Sequence, residues 1–157
     1  MSKIEIETWI KADIDKVFDL ARDIDLHQKS TSKTNEKAIA GRMTGLIEEN
    51  ETVVWQAKHL GITQRLTTKI ISMEKPHQFT DMMLKGAFKS MIHQHLFKQK
   101  EGYTLMKDHF EFESPFGIIG KLFNTFFLTS YLKKFLLERN RLIKETAELL
   151  QSHEVAI

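Results

Sequence analysis

Two histidines and one aspartate in the second half of the chain have residue types and a spacing that could do chemistry. His93 and His95 are two residues apart in a strand-like stretch, so their side chains lie on the same face. Asp108 lies in the next such stretch, after Glu101-Gly102. A two-residue turn at Glu101-Gly102 would place His95 opposite Asp108 and point all three polar side chains into an apolar interior. Because a carboxylate can orient an imidazole as a general acid or base, His95 and Asp108 are the catalytic candidates.

Roles other than catalysis are also compatible with His93, His95 and Asp108. A buried His and Asp pair can satisfy the interior of a sheet, or it can anchor the polar end of a ligand. We favour these roles over catalysis for His93, His95 and Asp108. Zinc and iron also accept two histidines and a carboxylate, but the sequence names no fourth ligand. We therefore predict no bound metal, and without a nucleotide-binding glycine motif we predict no cofactor.

The pairing of this hairpin depends on the length of its turn. A three-residue loop would change every pairing and would turn one strand over relative to the other. The two-residue turn keeps apolar side chains on one side and charged ones on the other, so we adopt it. Its inward residues are predicted to bind a ligand, and they are Met91, His93, His95, Phe97, Met106, Asp108, Phe110 and Phe112.

A second hairpin is predicted at His59-Leu60-Gly61-Ile62, again with a two-residue loop. Its inward side would add a few directional polar groups to an apolar cavity, which is how such sites orient a ligand. The residues predicted to bind a ligand here are Trp55, His59, Gln64 and Leu66. For His59, a solvated position at the hairpin end is an equal alternative.

The elements that position these residues follow from periodicity. Alternating residues predict a first strand over residues 3 to 11, and helical spacing predicts two short helices after it. A weak strand near residues 36 to 42 and a two-fold pattern from Glu51 onward complete an antiparallel sheet of about seven strands. A long amphipathic helix reaching to about Leu150 must then cover the apolar face of the sheet. The predicted class is α+β.

Composition narrows the class of function. The chain has 157 residues, which fits a single domain over residues 1–157. Its 23 basic and 21 acidic residues give a net charge of +2, so we expect no nucleic-acid partner. There is no cysteine, and the start of the chain has no apolar run. We expect a cytoplasmic protein without a transmembrane segment, and we make no prediction of its oligomeric state.

The stretch "SPFGIIGKLFNTFFLTSYLKKFL", Ser114 to Leu136, is unusually apolar. Lysines and polar residues interrupt it before it is long enough to span a bilayer. Phe123, Phe126 and Phe127 have two possible interpretations. They are core residues, or they form a surface patch that touches a membrane transiently or docks a partner protein. Phe123 and Phe127 are also predicted to bind the ligand.

Four stretches carry a family resemblance: "VWQAKHLGITQRLTTKI", "FTDMMLKGAFKSMIHQHLF", "GYTLMKDHFEFESPFGIIGKL" and "YLKKFLLERNRLIKE". With the element order, they resemble the START-like or SRPBCC superfamily of helix-grip proteins, over nearly the whole chain. That superfamily includes the birch-pollen allergen (Bet v) type and the polyketide cyclase and dehydrase group. The resemblance implies a curved sheet that grips the long helix around a deep, mostly apolar cavity for a lipid, sterol, polyketide or similar molecule.

The expected function is therefore non-catalytic binding or transport of a hydrophobic small molecule. One alternative is a polyketide cyclase or dehydratase-like enzyme that uses His95 and Asp108. Another is a protein-interaction module that docks its partner through the Phe123 to Phe127 surface. The resemblance is to a fold, and a fold alone does not define chemistry.

Overall fold

The computed structural model describes residues 1–59, 61–114 and 127–155, which form a curved sheet, two short helices and one long helix. The helices are α1 (Ile14–Ala21), α2 (Ile24–Ser30) and α3 (Thr129–Val155), and a short 3-10 turn spans Ser32–Thr34. The strands are β1 (Ser2–Ile10), β2 (Lys37–Gly41), β3 (Thr52–His59), β4 (Ile62–Glu74), β5 (Gln78–Lys85), β6 (Ser90–Lys100) and β7 (Tyr103–Glu113).

The seven strands form one antiparallel sheet in the order β1-β7-β6-β5-β4-β3-β2. Strand β1 pairs with β7, so the first and last strands of the chain lie side by side. The register shifts between Ile70 and Ser72 on β4, and between Ala38 and Ala40 on β2. Such bulges bend a strand and increase its twist, which helps the sheet to curve around the helix. The predicted fold class is confirmed.

The hairpin of β6 and β7 has the predicted register, with His95 opposite Asp108 and Phe97 opposite Met106. Glu101 has φ 49° and Gly102 has φ 81°, both positive. A two-residue turn of the I′ type needs positive φ at both central positions, so the turn chemistry selects this register. The hairpin of β3 and β4 also pairs as predicted, with Trp55 opposite Leu66.

Two groups of apolar side chains form the core on the concave side of the sheet. In the first, Phe18 of α1 packs edge-on against Phe79 and Phe97, with ring centroids 5.5 and 5.3 Å away. The second group lies under the other end of the sheet, and its members are Ile4, Ile6, Met91, Phe110, Phe112 and Leu136. Helix α3 packs on β1, α1 and α2. The first part of α3, from Tyr131 to Arg139, lines a cavity together with residues of β3, β4, β5 and β6.

One face of α3 differs from the amphipathic pattern predicted for it. Sequence periodicity places Asn140 on the solvent side, but Asn140 is only 2% exposed and the preceding Arg139 is 5% exposed. Both side chains are buried because each has a hydrogen-bond partner in the interior: the Asn140 amide donates to Asp108 on β7, and the Arg139 guanidinium donates to the backbone carbonyl of Ala21 at the end of α1. The described helices include none with the length and apolar character needed to cross a membrane.

Gly41 at the end of β2 is expected to resist substitution more strongly than Gly45. Both have positive φ, 74° and 71°, so alanine at either position costs about 1–2 kcal/mol for the left-handed backbone. A Cβ on Gly41 would also overlap the backbone oxygen of Thr52, whereas a Cβ on Gly45 would meet no atom within 4 Å. Urea denaturation should therefore show a larger loss of unfolding free energy for Gly41→Ala than for Gly45→Ala. Equal losses would contradict the close approach of β2 to β3.

Candidate functional site: an interior cavity with a polar wall

A cavity of about 320 Å³ lies between the concave side of the sheet and the start of α3. This volume is within the range of about 300–1,000 Å³ that is usual for sites of small organic ligands. Several residues predicted to bind a ligand line it, and they are Trp55, His59, Gln64, Leu66, Met91, His93, His95 and Phe110. The opposite wall consists of Leu128, just before α3, and of five residues of α3: Tyr131, Leu132, Phe135, Leu136 and Arg139.

Four predicted ligand-binding residues point inward as expected but lie behind the cavity wall: Phe97, Met106, Asp108 and Phe112. Phe97 and Met106 belong to the core group under α1 and α2, and Phe18 covers the Phe97 ring. Phe112 is fully buried against Phe88 and Phe110. Alternation along a strand predicts the face of the sheet on which a residue lies, but it does not predict how much of that face the helices cover.

The phenylalanines of the apolar stretch are only partly described. Phe123 and Phe126 lie outside the described residues, as do all of residues 115–126 of the apolar stretch. Phe127 is 47% exposed and is not among the described residues that line the cavity.

Asp108 is the centre of a buried polar network. Its Oδ1 lies 2.9 Å from His93 Nε2 and 3.1 Å from His95 Nδ1, and its Oδ2 accepts a hydrogen bond from the Asn140 amide. Arg139 Nη1 is 3.6 Å from Oδ1. Asp108 is 0% exposed, so this carboxylate is held entirely by protein groups.

Asp81, which no sequence motif singled out, completes the network on the cavity side. Asp81 lies on β5 directly opposite His93, and its Oδ2 is 3.0 Å from His95 Nε2. Phe79, two residues earlier on the same side of β5, stacks on the His95 ring at 4.1 Å. A lone carboxylate within the otherwise uncharged "FTDMML" was the available signal. The network thus consists of two imidazoles between two carboxylates.

Comparisons with known proteins support the fold. No protein-family model matches the sequence, and no curated protein is significantly similar to it. Among solved structures, TTHA0849 from Thermus thermophilus superposes with a TM-score of 0.72 at 14% identity, over 93% of this chain and 99% of that chain. A START superfamily protein from Mycobacterium smegmatis gives a TM-score of 0.70 at 11% identity, over 94% and 98%. The major latex-like protein 151 from Panax ginseng gives 0.67 at 20% identity, over 93% and 97%.

The chain has a START-like helix-grip fold.

The polar wall of this START-like cavity has unusual electrostatics. Burial, helped by the neighbouring His95 ring, lowers the pKa of His93 from 6.5 to about 4, against the hydrogen bond with Asp108. Burial opposes ionisation of Asp108, but the hydrogen bond with His93 and the nearby His95 ring hold its pKa well below 3.8. For Asp81, burial is likewise outweighed by the hydrogen bond with His95, and its pKa is lowered. At neutral pH both carboxylates are therefore charged, and His93 is neutral.

A second polar group lies elsewhere on the wall of the START-like cavity. His59 Nδ1 is 2.9 Å from the Tyr131 hydroxyl, and Glu36, only 8% exposed, is hydrogen-bonded to His27 Nε2. The His27 ring packs on Trp55 with centroids 4.3 Å apart. Burial lowers the pKa of His59, so its neutral form is favoured. His59 lines the cavity, and its side chain is 24% exposed at the hairpin end, so a role in ligand binding stays a prediction.

The arrangement can act chemically in two ways. Its hydrogen-bonding groups can orient the polar parts of a molecule whose apolar part fills the cavity. In addition, Asp81, His93 and His95 each offer a ligand atom, and these atoms lie within 4.8 Å of one another. Asp108, which the sequence analysis considered as the third ligand, lies behind the two rings rather than beside them.

Proposed function

We propose that this START-like protein binds a hydrophobic small molecule, such as a lipid or a polyketide, in the interior cavity. The observation that carries the proposal is the cavity itself, about 320 Å³ between the sheet and α3. Its wall is mainly aliphatic and aromatic, and burial of apolar ligand surface supplies about 25 cal/mol per Å² toward affinity. The START-like neighbours support the architecture but do not name the ligand.

The polar groups of the wall support an oriented ligand rather than a loosely held one. The group at His93 and His95 and the group at His59 and Tyr131 provide separate hydrogen-bonding positions. A few directional groups in an apolar pocket normally determine which end of a ligand enters first. We therefore expect a ligand with an apolar body and at least one polar end.

The geometry gives less support to acid–base catalysis. An imidazole with a pKa of about 4, such as that of His93, is a weak base at neutral pH. The Nε2 atom of His95, which would face a substrate, is already hydrogen-bonded to Asp81. Both histidines suit binding and positioning better than proton transfer.

Blocking the cavity is the direct test. Ala57 on β3 lines the cavity and is 6% exposed, whereas the next residue, Lys58, points out of the sheet. Ala57→Trp should weaken binding of the fluorescent probe anilinonaphthalene sulfonate by about tenfold or more, equivalent to about 1.4 kcal/mol. Lys58→Trp places the same side chain on the outer face, and it should leave the affinity unchanged.

Mass spectrometry of an organic extract of the native protein complements this test. We expect an apolar molecule to be recovered from the wild-type chain and from Lys58→Trp, and to be depleted in Ala57→Trp. Overpacking costs about 1–3 kcal/mol of stability, so circular dichroism must show that Ala57→Trp remains folded. Equal probe affinity in the two folded variants would exclude the cavity as the binding site.

A further inference from the structure

Three side chains on the cavity wall form a cluster with the composition of a metal site. Asp81 Oδ2 lies 3.0 Å from His95 Nε2 and 4.0 Å from His93 Nδ1. Ligand atoms around a tetrahedral ion, at about 2.0–2.2 Å from it, are about 3.3 Å apart. The two separations from Asp81 bracket that value, and all three ligand atoms lie within 4.8 Å of one another, so side-chain rotations would bring them onto one ion.

The groups behind the cluster have the arrangement that metal-binding histidines need. The second ring nitrogens, His93 Nε2 and His95 Nδ1, both face Asp108 Oδ1, at 2.9 and 3.1 Å. A histidine that binds a metal almost always donates its other N–H to a carboxylate or carbonyl, which selects the tautomer. Asp108 is itself held by Asn140, so this outer carboxylate is already positioned.

The hydrogen bonding of His95 is incomplete without a further group. Its Nδ1 is buried 3.1 Å from Asp108 Oδ1, yet it has no assigned hydrogen bond with any group in the described part of the chain. A neutral imidazole carries one proton, so it can donate to Asp81 or to Asp108 but not to both. An ion between Nε2 and Asp81 would move that proton to Nδ1, where it could be donated to Asp108.

His93 has the complementary arrangement. Its Nε2 is paired with Asp108, whereas its Nδ1 lies 4.0 Å from Asp81 Oδ2, beyond hydrogen-bond distance. His93 is 6% exposed and lines the cavity. A lone pair on Nδ1 is therefore available on the side where Asp81 and His95 Nε2 lie.

The local charge favours a cation. Two carboxylates, Asp81 and Asp108, adjoin the rings, and Arg139 is the cationic side chain near them. The cluster thus has one more negative than positive group before any ion binds. Buried charge is costly unless it is paired, and a divalent ion supplies the pairing.

We propose that Asp81, His93 and His95 bind one divalent transition-metal ion in the cavity wall, with Asp108 orienting both rings from behind. Two imidazoles and one carboxylate suit zinc, iron or cobalt rather than calcium or magnesium, which prefer oxygen ligands alone. Three protein ligands leave at least one coordination position open toward the cavity. The sequence-based expectation was no bound metal, because no fourth ligand was evident; the proposed site has three protein ligands, with Asp81 in place of Asp108.

Metal titration of the chelator-treated full-length chain tests the proposal. Zn²⁺ is added in isothermal titration calorimetry, and Co²⁺ is added with visible absorption as the readout. We expect one ion per chain. Asp81→Asn should weaken binding by more than about a hundredfold and Asp108→Asn by about 10- to 100-fold, the usual effect of losing an outer partner. His109→Gln removes a histidine on the outward side of β7 and should bind like the wild type.

If the variants do not fold, a second measurement on the wild-type chain tests the proposed metal site. In ¹⁵N-detected imidazole spectra of the wild-type chain, Zn²⁺ should shift the His93 Nδ1 and His95 Nε2 signals and leave protons on His93 Nε2 and His95 Nδ1. The proposal would be overturned by the lack of stoichiometric binding, or by unchanged affinity in a folded Asp81→Asn variant. It would also be overturned if the His95 ring carried protons on both nitrogens with Zn²⁺ present, because such a ring satisfies both carboxylates without an ion.

Discussion

Replacement of Asp108 by alanine is expected to lower the free energy of unfolding by about 3–5 kcal/mol, as is usual when one partner of a buried charged network is removed. The carboxylate is 0% exposed and faces two imidazoles, the Asn140 amide and the Arg139 guanidinium. Alanine would leave the Arg139 charge and several N–H groups in the interior without this acceptor. Water can reach them only if the structure opens.

Urea denaturation followed by tryptophan fluorescence measures this loss. His109→Ala is the matched control, because His109 is the next residue of β7, points outward and has a side chain that is 40% exposed. Its contact with Glu5, at 3.9 Å, is a surface pair worth about 0–1 kcal/mol. If both variants unfolded at the same urea concentration, the buried network would not contribute to stability as the structure implies.

Phe18→Ala is expected to cost about 3–5 kcal/mol, the usual range for removal of a buried aromatic side chain. Phe18 is 1% exposed and contacts the rings of Phe79 and Phe97 edge-on. The resulting void would adjoin Phe79, which stacks on His95. We therefore expect a loss of stability together with weaker probe binding in the cavity.

Phe127→Ala provides the comparison for Phe18→Ala with the same change of side chain. Phe127 is 47% exposed, so its loss should cost about 1 kcal/mol or less. The stabilities of the two variants, measured by thermal and by urea unfolding, should differ clearly. A loss of unfolding free energy below about 1 kcal/mol for Phe18→Ala would mean that α1 does not stabilise the part of the sheet around Phe79 that adjoins the cavity.

The sheet and its registers could be predicted because their causes are local. Alternation assigns each side chain of β6 and β7 to one face, and the positive-φ turn at Glu101-Gly102 then leaves one pairing. The inward direction of His93, His95 and Asp108 follows directly. The long helix is predictable for a similar reason, since an isolated apolar sheet face must be covered.

The composition of the polar wall was only partly predictable. Asp81 lies on β5, which pairs with β6 only from Gln78 to Met82, and the connection between Lys85 and Ser90 is longer than a two-residue turn, so turn stereochemistry does not specify this register. Asn140 and Arg139 have the residue types of a solvated helix face, and only their buried partners explain why they point inward.

The order of the elements, the face on which each strand residue lies and the two hairpin registers follow from local patterns, because periodicity and turn stereochemistry act over a few residues. Tertiary structure decided which inward residues line a cavity and which are core, because that depends on where α1, α2 and α3 cover the sheet. It also brought Asp81 to the two histidines and Asn140 to Asp108. Contacts between elements distant in the chain follow from packing of the whole domain, which no local pattern encodes.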